Sequence, residues 1–212
     1  MGRLKLYRSV IPKESGKQQF HEYRPTMRPP GNVPYIVDNL WEWKRPEDFP
    51  CRRFCAYASP NPDLAMNSGP RRGQVFEIEF MGEYKIAQLI GYPDSKYHPE
   101  CGGKSGDRQK YSTLKKEMIR LLNKAADKWW PDLDRKEKLQ AGQLWIPCLR
   151  KEEVAHLFEN VPVLELIRDE VASRIKYWND VVLLDPGKNS LPDKEGEIFF
   201  QAKGGYYLKP IT

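Results

Sequence analysis

Apolar and polar positions alternate most cleanly in QVFEIEF (74–80), which predicts a strand with Glu77 and Glu79 on its outward face. YKIAQLIGY (84–92) follows across Met81-Gly82-Glu83 and is predicted to pair with it as a hairpin. Further strands are predicted over 4–11, with Arg8 near its end, over 52–59 (RRFCAYAS), and in VVLLD, EIFFQA and YYLKP near the C-terminus. QLWIPCL (143–149) reads as a strand end.

Helical periodicity replaces alternation in PYIVDNLWEW (34–43), where apolar residues at 36, 37, 40, 41 and 43 predict a short helix that RPEDFP ends. Asn61 opens a helical turn over 61–66, and Ser112 caps a helix predicted over 113–130, with Leu114, Met118, Leu121, Leu122 and Ala125 on one face. KEEVAHLFEN and residues 163–180 are predicted to be helical. Residues 12–34 read as a loop rich in Pro, Gly, Lys and Gln, and 93–110 as an exposed loop. No repeat and no linker interrupts the chain, so one domain over 1–212 is expected. Strands and helices mix without regular βαβ alternation, which predicts an α+β fold.

Composition narrows the class. With 212 residues, 40% hydrophobic and 30% charged, the chain is long enough for a buried core, and its 6 Trp, 11 Tyr and 8 Phe argue against a disordered segment. No run of 18 apolar residues predicts a membrane span. The N-terminus carries no apolar signal stretch, and Lys5 and Leu6 stand where myristoylation wants Ser or Thr. A cytoplasmic protein is expected, or one delivered into another cell without a cleaved signal. Four cysteines (Cys51, Cys55, Cys101, Cys148) are too few for a disulfide scaffold. Read as strand residues, Cys51 and Cys55 would lie about 13 Å apart, too far to share a zinc ion. His21, His98 and His156 fall in no ligand spacing, so no metal is expected. The formal charge of +6 favours an anionic partner, whether a dinucleotide, RNA, DNA or an acidic protein face.

Three short segments carry candidate chemistry. Tyr7-Arg8-Ser9 puts a planar fork of donors, suited to phosphate or ribose, on the first strand. Ala56-Tyr57-Ala58-Ser59-Pro60, followed by Asn61-Pro62-Asp63-Leu64-Ala65, ends a strand in a small hydroxyl able to orient a carboxylate. Glu195-Gly196-Glu197-Ile198-Phe199-Phe200 opens an apolar strand with two acids at i and i+2, on one side of an extended chain. Taken singly, these are also a surface arginine, a Ser-Pro turn and two solvated acids. Glu77-Ile78-Glu79 is a competing acid pair, read here as the solvated face of its strand.

In this order, over nearly the whole chain, LYRSV, AYASPNPDLA and EGEIFF resemble the arginine–serine–glutamate class of ADP-ribosyltransferases, which includes many bacterial toxins. The middle motif departs from the family: Ser59-Pro60-Asn61 keeps one of two usual hydroxyl residues, leaving open whether Asn61 supplies the second polar group. The resemblance implies two packed, mainly antiparallel sheets flanked by helices, and NAD as co-substrate without a metal. It implies that Glu197 stabilises the reacting ribose, that Ser59 holds Glu197, and that Arg8 with Tyr7, Tyr57 and Ser59 binds NAD. Glu195 would contact the acceptor, whose nature, protein side chain or RNA or DNA, stays open. A toxin or phage-defence role, with an antitoxin or immunity partner, is a further implication of the family. Arg52-Arg53, Arg71-Arg72, Lys194, Lys203 and Lys209 are candidates for steering a phosphate backbone, and Trp41, Trp43, Phe54 and Tyr57 for stacking on a base or nicotinamide. Two other readings remain: an NAD-hydrolysing enzyme of related fold, and a basic nucleic-acid-binding module without catalysis that uses the Lys/Gly loop at 102–110.

Overall fold

Eight short strands form two antiparallel sheets in the computed structural model, which describes residues 4–14, 16–103, 112–125, 135–188 and 190–211. The strands are β1 (Tyr7–Val10), β2 (Gln19–His21), β3 (Ala56–Ala58), β4 (Gln74–Phe80), β5 (Tyr84–Leu89), β6 (Val181–Leu183), β7 (Ile198–Ala202) and β8 (Tyr206–Pro210). The helices are α1 (Tyr35–Trp43), α2 (Pro62–Ser68), α3 (Thr113–Ala125), α4 (Arg135–Gly142), α5 (Lys151–Asn160), α6 (Pro162–Glu165) and α7 (Arg168–Arg174). The mixed α+β class expected from the unordered succession of elements is the class observed.

The chain divides into two compact units. One comprises Met1–Met27, Glu47–Asp94 and Asp180–Thr212, and the other Arg28–Pro46 and Ser95–Asn179. All eight strands belong to the first, in the orders β1-β4-β8-β2 and β3-β7-β5-β6. The inward faces of both sheets share one core: Phe76, Ile78 and Leu208 come from one sheet, and Ile86, Ile198 and Phe200 from the other. The alternation of β4 is realised as read. Phe76 and Ile78 are buried, while Glu77 pairs with Lys5 at 3.6 Å and Glu79 with Lys209 at 2.6 Å on the outer face.

The predicted β4–β5 hairpin does not form. β4 bonds to β1 and β8, and β5 to β6 and β7, so the two strands lie in different sheets. The reason lies in two turns that bond to each other. The Met81 N–H donates to the Gly205 carbonyl (3.0 Å) and the Lys203 N–H to the Glu83 carbonyl (3.0 Å). Gly82 and Gly205 take positive φ (62° and 79°), and a Cβ on Gly204 would collide with the Met81 carbonyl. Each turn therefore hands one strand to each sheet. Phe80 and Tyr84 flank the first turn and stack at 4.4 Å across the core instead of pairing along a ladder. Alternation records which face a strand buries, not which strand it pairs with.

The predicted strand over 52–59 is also shorter. Arg52–Phe54 is a 3-10 turn, closed by the Phe54 N–H on the Cys51 carbonyl (3.0 Å), and only 56–58 is extended. The Cys55 thiol donates to the Cys51 carbonyl at 3.1 Å, so the strand spacing assumed for these two cysteines does not apply.

In the second unit α1 buries Ile36, Val37, Leu40 and Trp41, the stripe its periodicity predicts. Asn39 is buried with them. Its amide donates to the carbonyls of Leu144 (2.8 Å) and Ile146 (2.7 Å) and accepts from the Leu149 N–H (3.1 Å). These bonds replace a strand neighbour, so 143–145 forms a 3-10 turn and not the predicted strand end. The loop expected to be exposed over 93–110 is partly interior: Ser95, His98, Glu100 and Cys101 are buried. Glu100 accepts from Trp41 Nε1 (2.7 Å) and from the backbone N–H groups of Lys176 and Tyr177. Residues 104–110 of that loop, and 126–130 of the predicted helix, lie outside the described residues. The Ser112 hydroxyl accepts from the Lys115 N–H (3.1 Å) and starts α3 as expected. Residues 163–180 break into α6, α7 and a 3-10 turn over Tyr177–Asp180.

Candidate functional site

β3 is the hinge of the candidate site. On one side it pairs with β7 in the register Ala56↔Phe200, Tyr57↔Phe199, Ala58↔Ile198, which ends one residue before Ser59 and Glu197. On its other side Ser59 forms an isolated antiparallel bridge with Tyr7: the Tyr7 N–H donates to the Ser59 carbonyl (3.0 Å) and the Ser59 N–H to the Tyr7 carbonyl (2.7 Å). Ser59 thus joins β1 to the end of β3, and 138 residues of chain separate it from Glu197, which directly precedes β7. Beyond the bridge, the Arg8 guanidinium donates through Nη1 to the Tyr57 carbonyl at 3.2 Å, reaching the edge of β3 where β1 no longer pairs. The structure thus joins Tyr7 to Ser59 and Arg8 to Tyr57 within the first unit, which also holds Glu197.

Alternation assigns Tyr57, Ser59, Glu197 and Phe199 to one face of their sheet. Ala58, Ile198 and Phe200 point the other way, into the shared core. On the first face Glu197 is 9% exposed, and its Oε2 accepts from Arg52 Nη1 at 3.1 Å. The Ser59 hydroxyl lies 3.5 Å from that of Ser68, which donates to the Leu64 carbonyl. The expected grip of Ser59 on the carboxylate is therefore made by Arg52. Sequence reasoning grouped Arg52-Arg53 with solvated steering residues, but both are buried. Arg71, Arg72, Lys194, Lys203 and Lys209 are exposed.

Glu195 lies on the loop before β7, exposed, on a scaffold that fixes its backbone. Asp193 accepts from the Gly91 N–H (2.6 Å) and the Glu195 N–H (2.8 Å). The buried Gln88 amide donates to the carbonyls of Asp193 (2.8 Å) and Gly196 (3.1 Å) and accepts from the Asp193 N–H (3.3 Å). The middle position of the Glu-Gly-Glu motif must be glycine, because a Cβ there would run into the Leu89 carbonyl. Asn61 caps α2 through the Leu64 N–H (2.9 Å) and donates to the Lys194 carbonyl (3.1 Å), so its amide ties β3 to the same loop.

His21, on β2, stacks on Tyr206 at 5.2 Å. Its pKa is held below the usual histidine value, first by burial and then by the positive charges of Arg8, Lys13 and Arg24. Two expected stacking residues are committed elsewhere: Trp41 lies against Tyr177 (3.8 Å) and Trp43 against Phe158 (4.4 Å), both inside the second unit. Among the described residues no group of three or more His, Cys, Asp or Glu is arranged to hold a metal, and no helix is long and apolar enough to cross a membrane.

No family model, curated protein or solved structure matches the chain. Sequence reasoning missed Arg52 and Gln88 as partners of the acid motif. The only local hint of the first was a pair of arginines opening an otherwise apolar run, RRFCAYA.

Proposed function

We propose that this protein is an NAD-dependent mono-ADP-ribosyltransferase with an ADP-ribosyltransferase-like fold, moving ADP-ribose from NAD to a macromolecule and releasing nicotinamide. The observation that supports this reading is the Tyr7–Ser59 bridge with Arg8 bonded to Tyr57, at the end of a β3–β7 ladder that stops one residue short of Ser59 and Glu197. The segments that carry the resemblance lie on adjoining strands of one unit, which supports the reading.

In this reading Arg8 binds the NAD diphosphate, and Lys13 and Arg24, whose charges are felt at His21 as that of Arg8 is, add to the positive field. Glu197 faces the ribose. As the glycosidic bond lengthens, nicotinamide leaves with the bonding electron pair and positive charge builds on the sugar, which an oriented carboxylate stabilises. Glu195, exposed on its braced loop, takes the proton from the acceptor nucleophile as that atom bonds the ribose carbon.

The test incubates the purified protein with adenylate-labelled NAD and total cell lysate, then treats the products separately with protease and ribonuclease. Label on a macromolecule that one treatment removes supports transfer and names the acceptor class. Free ADP-ribose alone points to hydrolysis, and NAD left intact refutes both. Glu197→Gln is expected to lower turnover by about 10²–10³, the loss seen on removing a preorganised electrostatic group.

A further inference from the structure

The Arg52 guanidinium lies across one rung of the β3–β7 ladder. Its central carbon is 5.5 Å from the Tyr57 ring centroid and 5.1 Å from that of Phe199, the cross-strand pair of that rung. Two residues before Phe199 lies Glu197, and there Nη1 of Arg52 reaches Oε2 of Glu197 at 3.1 Å. The side chains are 5% and 9% exposed, so the pair is almost wholly removed from water. The arginine is itself held from below: it belongs to the 3-10 turn Arg52–Phe54 that leads into β3, and the Tyr57 hydroxyl lies 3.5 Å from its carbonyl.

A carboxylate in this setting has one strongly preferred direction. A planar guanidinium fixed by two aromatic faces accepts only a narrow range of approach, whereas a lysine ammonium would follow the carboxylate wherever it turned. We infer that Arg52 is a positioning residue for the transfer proposed above: by clamping Oε2 it aims the Glu197 carboxylate, the task the sequence pattern gave to Ser59. A positive charge behind the carboxylate reduces its pull on the developing ribose cation. The gain is a carboxylate that does not reorganise as charge develops.

This inference rests on the transferase reading, and the experiment separates the two. The protein is labelled with glutamate carrying 13C at the side-chain carboxyl, and the Glu197 resonance is assigned by its loss in Glu197→Gln. It is then compared in wild type, Arg52→Lys and Arg52→Met, while NAD cleavage is measured on each variant with its fold checked by circular dichroism. Arg52→Lys preserves a buried cation and guards against an unfolded Arg52→Met. The expected result is a shifted or broadened Glu197 resonance in both variants. With it, kcat should fall about 10²-fold in Arg52→Lys while KM for NAD stays within about threefold, because the lost interaction orients the reacting group and does not bind substrate. An unmoved resonance, or a folded Arg52→Lys with kcat within about threefold of wild type, overturns the inference. A resonance that moves in both variants while the wild type leaves NAD intact overturns the transferase reading and the positioning role of Arg52 in it, while showing that Arg52 orients Glu197.

Discussion

Replacing Gln88 by leucine tests whether the loop carrying Glu195 is braced as described. Gln88 is fully buried, and its amide makes three hydrogen bonds to the backbone of that loop: two donated to the carbonyls of Asp193 and Gly196, one accepted from the Asp193 N–H. Leucine is similar in size, so the change removes polarity without opening a large cavity. A net hydrogen bond contributes about 1 kcal/mol, and a buried partner left unpaired adds a desolvation penalty, so the expected destabilisation is about 2–4 kcal/mol. Against a typical stability of roughly 5–15 kcal/mol this is a large fraction. Urea denaturation should show a lower midpoint at unchanged slope, and amide exchange at Asp193 and Glu195 should accelerate. Gln88→Glu should destabilise at least as much, because it turns a carboxylate towards two carbonyl oxygens. A loss below about 0.5 kcal/mol for Gln88→Leu, the range of a neutral surface change, would refute the bracing.

Gly196→Ala forces a Cβ against the Leu89 carbonyl and is expected to destabilise by about 1–3 kcal/mol, read by thermal or chemical denaturation; it should also reduce NAD turnover, since Glu195 and Glu197 flank it. His21 titrates below its ordinary value in the folded protein, for the reasons of burial and of Arg8, Lys13 and Arg24. The unfolded chain therefore binds the proton more readily, so stability rises with pH between the folded value and about 6.5 and is lost as pH falls through that window. His21→Gln should flatten the slope there, and an NMR titration of the ring should shift upward in Arg8→Ala. Asn61→Ala removes the α2 cap on the Leu64 N–H and should destabilise by about 1 kcal/mol in the same denaturation assay.

The legible parts of this fold are those set by neighbours in sequence. Strand β4, helix α1, the Asn61 and Ser112 caps and the apolar face of α3 follow from period and cap chemistry, and each appears where the pattern puts it. What failed depends on distant partners. The assignment of β4 and β5 to different sheets depends on a second turn more than 120 residues away, and the 3-10 turn at 143–145 on a single buried asparagine at position 39. The same holds at the candidate site. The order of Arg8, Ser59 and Glu197 along the chain is visible in sequence, whereas the need for glycine at 196 comes from the Leu89 carbonyl on a distant strand. That Glu197 meets Arg52 is not, because 145 residues separate the two and an arginine pair in sequence looks alike whether solvated or buried.

β7 and β8 are interior strands of their sheets, yet they come after all the other strands in chain order. Until residues 198–210 emerge, β4 has no partner on one flank, β2 has none at all, and β3 stands apart from β5 and β6. At roughly 5–20 residues per second, the 118 residues from the end of β4 to the start of β7 take on the order of 6–24 s, during which open edges invite aggregation and chaperone capture. Glu197, directly before β7, is likewise made long after Arg8 and Ser59. A ribosome stalled before residue 198 would hold a chain whose β2, β3 and β4 all lack a neighbour.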